Sequence, residues 1–257
     1  LVPYVPRCHV AHFDAATNAH ILILEDLAIM RAGQIEHALE PDDALGVIAT
    51  LAQVHARWWD APSLEALRRD YPPHGNRFAA GYERSLEAGC SLFGPYLEAG
   101  DLELARGLAA GLQDRWNEQY GAPETLVHWD VHAGNVMLPT PAVPARPEPV
   151  LLDWQNATVG RGIWDVSRLL VFSLSADARR ANEDALVARY VQALREAGVD
   201  YDLQDALHGY RTLLPLAFAQ QCRFLAGIET WDKTRERWRA AIAPRVLAAL
   251  RDSLAPL

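Results

Sequence analysis

Residues 128–135 read His128-Trp129-Asp130-Val131-His132-Ala133-Gly134-Asn135, and residues 150–155 read Val150-Leu151-Leu152-Asp153-Trp154-Gln155. The first stretch sets an aspartate five residues ahead of an asparagine. The second closes an apolar run on another aspartate. Phosphoryl transfer to a hydroxyl uses such a set: a carboxylate to orient and deprotonate the hydroxyl, with an amide and a carboxylate to hold Mg²⁺. An oxygen-only donor set suits Mg²⁺, which takes few protein ligands and completes its octahedron with phosphate and water.

Outward from this pair the chain changes character near residue 40. Before it, Arg7 to Phe13 alternates like a strand, Asp14 to Asn18 is turn-rich, and Ala19 to Leu24 reads as a second strand, so a hairpin is expected. Glu25-Asp26-Leu27 follows as a polar exit. From Pro41 onward Leu45, Ile48, Leu51, Ala52, His55 and Trp59 recur at helical spacing, with Asp42 and Asp43 in the first turn. Further helices are expected near 75–97, 101–118, 162–174, 176–197, 202–228 and 232–254. Ser175 is a candidate N-cap, Gly198 a stop, and Pro215 a kink or break. Between the helices, 125–128, 135–138 and 149–153 read as short strands around a proline-rich connection.

Length and composition bound the function. At 257 residues the chain can bury a sizeable core. No run of eighteen apolar residues occurs, so no membrane span and no membrane partner is expected. A net charge of −9 argues against a nucleic-acid backbone as partner and is neutral-to-favourable for a cationic substrate. Cys8, Cys90 and Cys222 lie far apart without a CxxC, which suits a reduced, cytoplasmic protein rather than a disulfide or zinc framework. No signal-peptide pattern opens the chain, no initiator methionine stands at Leu1, and the N-terminus reads as cut.

The order of hairpin, Leu24-Glu25-Asp26-Leu27, helical pair with Leu51-Ala52-Gln53-Val54-His55-Ala56-Arg57-Trp58-Trp59, His-x-Asp-x-x-x-x-Asn and Leu151-Leu152-Asp153-Trp154-Gln155 resembles the aminoglycoside-phosphotransferase-like small-molecule kinases. Within them it looks most similar to the ecdysteroid-kinase-like and choline-kinase-like branch. The resemblance implies an α+β, protein-kinase-like fold: residues 1–27 as the end of a β-rich N-lobe with the hinge, and 28–257 as a helical C-lobe. It also implies transfer of the terminal phosphate of ATP or GTP, with Mg²⁺, to a hydroxyl of a small molecule.

Residue by residue, Asp130 falls on the base position, and Asn135 and Asp153 on the metal-binding positions. Glu25, Asp26 and Leu27 would offer hinge backbone groups to the nucleotide base. His128 and His132 read as loop scaffolding, and Asp165 as a buried brace for the loop. Trp129 departs from the small residue usual between His and Asp. It must fill a local pocket or face the substrate. Gln155 stands where protein kinases carry Gly, so no activation-loop flip is expected. The tryptophans at 58, 59, 116, 154, 164, 231 and 238 could pack in the core or line a substrate pocket.

Kinases of this type also need a phosphate-covering glycine-rich loop and a strand lysine. No such loop precedes the hinge, and the chain's one lysine is Lys233, so an N-terminal truncation with negligible turnover and an exposed sheet edge is expected. A non-catalytic binding module of the same fold is the alternative. A metal hydrolase using His128, Asp130 and His132 is a third reading, for which the other histidines supply no second cluster. Substrate identity stays open among aminoglycosides, macrolides, choline, sugars, steroid alcohols and amino-alcohols, and no protein partner is implied.

Overall fold

In the computed structural model, residues 3–70, 78–140, 146–227 and 233–254 are described. Strands β1 (Cys8–Asp14) and β2 (Ala19–Leu24) pair antiparallel. Their turn is fixed by the Asp14 carboxylate, which accepts from the Ala16 N–H at 2.9 Å and the Thr17 hydroxyl at 2.7 Å. This hairpin carries little of the core: Val10, Phe13, Ile21 and Leu22 all stay exposed. The chain re-enters the body at Leu27, which packs with Met30 and Val150.

Two small sheets frame the motif-bearing segments. One runs β3-β5-β6 (Arg31–Ala32, Val136–Leu138, Val150–Leu151), antiparallel throughout, with Val136 opposite Leu151. In the other, β4 (Thr125–Val127) pairs with β7 (Thr158–Gly160).

Around them pack ten helices of the described residues: α1 (Pro41–Trp58), α2 (Leu64–Asp70), α3 (Phe78–Phe93), α4 (Asp101–Leu108), α5 (Leu112–Glu118), α6 (Ile163–Ser173), α7 (Ala176–Glu196), α8 (Leu203–Leu213), α9 (Leu216–Ala226) and α10 (Lys233–Leu254). Helix α1 begins on a proline, which needs no N–H partner there, and its Asp42 and Asp43 suit the positive helix end. Its apolar stripe of Val47, Ile48, Leu51 and Val54 is buried in the main core. Helix α6 is buried nearly all round and forms the centre of the helical body. Among the described residues no helix is long and apolar enough to cross a membrane.

Several expectations need correction. The helix read over 101–118 is two, because the chain breaks at Gly111, whose φ of 78° suits a residue without a Cβ. The stretch 202–228 is also two helices, divided where Pro215 takes the N-cap position of α9. Ser175 does cap α7, accepting from the Ala178 N–H at 3.1 Å, and Asp202 caps α8 in the same way. Strands β3 and β7 and helix α2 were not anticipated. The beginning of the helix expected from 75, and Trp231, lie outside the described residues.

Candidate active site

The loop of residues 128–135 leaves β4 and ends in a tight turn before β5. Trp129 within it holds φ at 75°, a left-handed conformation costing about 1–2 kcal/mol for a residue with a side chain. Asp165, fully buried in the first turn of α6, opposes that cost. Its Oδ2 accepts from the His128 N–H at 2.7 Å and its Oδ1 from the Trp129 N–H at 2.9 Å. The same Oδ2 lies 3.2 Å from His55 Nε2, and His55 Nδ1 lies 2.8 Å from the Tyr190 hydroxyl. A chain of polar groups thus runs from α7 through α1 and α6 to the loop backbone, all of it away from water. Buried polar groups persist only when paired in this way.

The two loop histidines also act on backbone. His128 Nδ1 accepts from the Asp130 N–H at 3.3 Å, so the ring proton is assigned to Nε2, which donates to the Leu152 carbonyl at 2.7 Å. The Trp154 ring packs on its imidazole at 4.5 Å. His132 accepts from the Gly134 N–H at 3.1 Å and caps the turn that ends at Asn135. Burial, then the Arg168 cation, push the His132 imidazole down to about 4, although Asp130 pulls the other way. With both nitrogens of His128 and one of His132 engaged in the loop, these rings do not form the donor set of a transition-metal hydrolase. Among the described residues no group of three or more His, Cys, Asp or Glu could hold a metal ion.

Asp130 sits at the end of this scaffold with its side chain about 24% exposed. Its Oδ1 pairs with Arg168, and its Oδ2 lies 3.5 Å from the Asn156 amide. Arg168 was not singled out from the sequence. It lies one helical turn beyond Asp165 on α6, so the two share a face that meets the loop. Its guanidinium also donates to Gln220 Oε1 at 2.9 Å and lies 4.3 Å from the centre of the Phe172 ring.

Asn135 and Asp153 come together because β5 and β6 pair. The Leu152 N–H donates to the Asn135 carbonyl at 2.9 Å, which sets Asp153 beside Asn135. The Asn135 side chain gives its amide N–H to the Asp130 carbonyl at 3.0 Å, leaving Oδ1 as its acceptor. Asp153 is exposed, holds φ and ψ both at 61°, and receives the Gln155 amide at 3.3 Å. Farther off, the Glu25 N–H is given to the Arg7 carbonyl, its carboxylate to Arg146 and the Arg7 N–H, and the Leu27 carbonyl to Met30. That Arg146 contact and the Arg7 N–H hold the Glu25 carboxyl below its usual range. Asp26 turns its side chain to the Ala28 N–H at 2.9 Å.

Asp130 opens onto a cavity of about 510 Å³, walled by α3, α5, α6, α9, α10, the loop, and Gln155 and Asn156. Phe78 and Trp116 stack at 3.7 Å along one side, and Trp129 stacks on Trp164 at 4.6 Å. So Trp129 both fills a pocket of the loop and faces the cavity. Trp116 and Trp238 line it too, whereas Trp59 packs on Tyr201 and Trp164 donates to the Trp129 carbonyl at 3.2 Å. Gln220, Gln221, Arg223 and Phe224 complete the wall from α9, and none of the four was singled out from the sequence.

Residues 2–207 match the sequence pattern of the phosphotransferase enzyme family. No curated protein sequence matches the chain. Solved structures share its fold, among them three small-molecule kinases and relatives. A Plasmodium vivax ethanolamine kinase superposes with a TM-score of 0.59 at 10% identity, covering 97% of this chain and 69% of the other. The GDP complex of a point mutant of aminoglycoside 2′-phosphotransferase-IIIa gives 0.51 at 18% identity, covering 99% and 77%. A choline/ethanolamine kinase family protein from Mesorhizobium loti gives 0.50 at 16% identity, covering 97% and 79%.

Proposed function

The chain belongs to the phosphotransferase enzyme family, with a kinase-like α+β fold, and from that premise we propose that it moves the terminal phosphate of ATP or GTP to a hydroxyl of a small molecule. The observation that carries this reading is the Asp130 carboxylate. It is held by the loop and Arg168 at the edge of a cavity large enough for a small molecule.

Asp130 orients the acceptor hydroxyl and takes its proton as the new O–P bond forms and the bond to the leaving nucleoside diphosphate breaks. Arg168 fixes the carboxylate from one side, so that its second oxygen faces the hydroxyl. Because the amide N–H of Asn135 is given to the Asp130 carbonyl, its Oδ1 is left as an acceptor, and the Asp153 carboxylate is exposed. These are two hard oxygen donors, one just before β5 and the other just after β6, and they fit Mg²⁺. When bound there, the ion would neutralise charge on the transferring phosphates. At the hinge the Glu25 N–H and the Leu27 carbonyl are engaged, so the base would be read by the Glu25 carbonyl, the Asp26 backbone and the Leu27 N–H. The GDP bound by the aminoglycoside 2′-phosphotransferase relative supports a nucleotide as donor.

The test is Asp130→Ala in the protein expressed from its complete coding sequence, assayed for transfer of labelled terminal phosphate to a panel of hydroxyl compounds. The substitution should lower turnover about 10²- to 10⁴-fold while circular dichroism and the thermal midpoint stay close to the parent's. Retention of more than about a tenth of the parent rate rules out Asp130 as the base. Binding of Mg·nucleotide with no transfer to any hydroxyl would instead identify a binding module.

A further inference from the structure

The wall of the acceptor cavity has a sign opposite to that of the whole chain. The molecule carries a net charge of −9, yet among the described residues lining the cavity the one carboxylate is Asp130, already paired with Arg168. The remaining charged residue of that wall is Arg223. Its guanidinium lies 4.8 Å from the centre of the Phe78 ring and has no carboxylate partner among the described residues.

The amides of the wall are of two kinds. Gln220 gives its carbonyl oxygen to Arg168 at 2.9 Å and Gln221 gives its own to the Trp238 indole N–H at 3.2 Å, which leaves their NH₂ ends as donors. Gln155 and Asn156 instead spend their NH₂ ends on the Asp153 and Asp130 carboxylates and keep their carbonyl oxygens. Two of the aromatic faces are covered, and Phe224 and Trp238 are the other aromatic side chains of the wall. Phe78 has Trp116 stacked against it and Arg223 over it, and Trp129 is stacked with both Trp164 and Tyr120. Among the described residues of the wall the charges are thus one paired carboxylate and two guanidiniums, with amides of both polarities between them.

We propose that the acceptor is a ring-bearing alcohol with an anionic oxygen group such as a carboxylate, its hydroxyl at Asp130 and its anion at Arg223. Amino-sugars, polyamines and choline-like alcohols are disfavoured. This rests on Asp130 being the group that meets the acceptor hydroxyl. The Arg84 cation lies nearby as well, so a bound anion adds an opposite charge where the described residues supply none.

A matched series tests it without any turnover: para-hydroxymethyl benzoate, the corresponding benzamide and the corresponding benzylamine, each titrated into the intact protein with tryptophan fluorescence and calorimetry. The benzoate should bind about tenfold or more tighter than the benzylamine, with the benzamide between them. Arg223→Gln should bring the benzoate to the level of the benzamide. Arg223 is exposed, and circular dichroism checks that the variant keeps its fold. Equal or tighter binding of the benzylamine overturns the proposal, as does a benzoate preference that survives Arg223→Gln or failure of all three compounds to bind. Because no nucleotide is present, a benzoate preference alongside undiminished turnover in Asp130→Ala would sink the catalytic assignment and leave the charge of the cavity standing.

Discussion

Asp165→Asn is the sharpest perturbation of the scaffold, because it changes one oxygen and almost no volume. The native carboxylate accepts three bonds: from the Trp129 N–H on Oδ1, and from the His128 N–H and His55 Nε2 on Oδ2. An amide can keep its oxygen at only one of those two positions. The less costly orientation leaves the oxygen with His128 and His55 and turns NH₂ against the Trp129 N–H. One charge-assisted bond, about 1.5–3 kcal/mol, is then lost, and a buried donor is left facing another donor. The surviving bonds weaken as the acceptor becomes neutral, since charged hydrogen bonds are roughly twice as strong as neutral ones. The expected loss is about 3–4 kcal/mol against a typical total of about 5–15 kcal/mol. Urea unfolding followed by tryptophan fluorescence should show the midpoint falling by about 1 M for a slope near 3 kcal/mol per M. A fall of less than about 0.3 M would refute the reasoning, because the carboxylate would then be replaceable as an acceptor of three bonds.

Two further outcomes follow from the same structure. In Gly162→Ala the new Cβ would lie 2.3 Å from the Tyr190 hydroxyl and 2.7 Å from His55 Nδ1, so the hydroxyl must leave its bond. The loss should be about 2–4 kcal/mol in urea unfolding. Combined with Asp165→Asn the two losses should fall short of adding, since both act on one network. Asp101, about 2% exposed, accepts from Arg251 at 2.8 and 2.6 Å and from the Glu98 N–H at 2.7 Å. Burial alone would raise its carboxyl, but these donors win and its pKa lies below the ordinary 3.8. A lowered folded value means stability that is full above pH 3.8 and fades as pH falls through the folded pKa. Asp101→Asn should therefore cost about 2–3 kcal/mol near neutral pH, with the gap to the parent narrowing under acid. A gap that stays constant down to strongly acid pH would show the pair to be energetically idle.

The parts of this architecture that sequence reveals are those whose signal is local. Alternation marks β1 and β2, and recurrence at three and four residues marks α1, because each element is long enough to repeat its pattern. Strands β3 and β7 span two and three residues, too few for alternation to show, and they exist through pairing with β5 and β4. The α4–α5 break depends on one glycine whose left-handed backbone could equally have been a tolerated glycine inside a helix.

The candidate site divides along the same line. Asp130, Asn135 and Asp153 stand in motifs with fixed spacing, so their adjacency could be anticipated before any fold was known. Gln221 and Arg223 sit on a helix whose sequence looks like ordinary amphipathic surface, and Arg168 on one that is buried nearly all round; only packing turns the three toward one cavity. The three-residue step from Asp165 to Arg168 was the one available hint. Net charge is summed over the whole surface, whereas the wall that an acceptor would meet is set by a few side chains.

Trp129 ties these two halves together. Its backbone is held in a left-handed conformation by Asp165, and its ring stacks on Trp164 and Tyr120 while lining the cavity beside Asp130. The strain of about 1–2 kcal/mol is smaller than the bonds that enforce it, so the conformation is over-determined rather than marginal. A small residue at this position would leave loop geometry and cavity shape independent of each other. With an indole there, displacing the ring pulls on the peptide that Asp165 grips, and Asp130 is the next residue. The fit of a ligand against the aromatic wall is therefore coupled mechanically to the orientation of the proposed base, through a single side chain and one buried carboxylate.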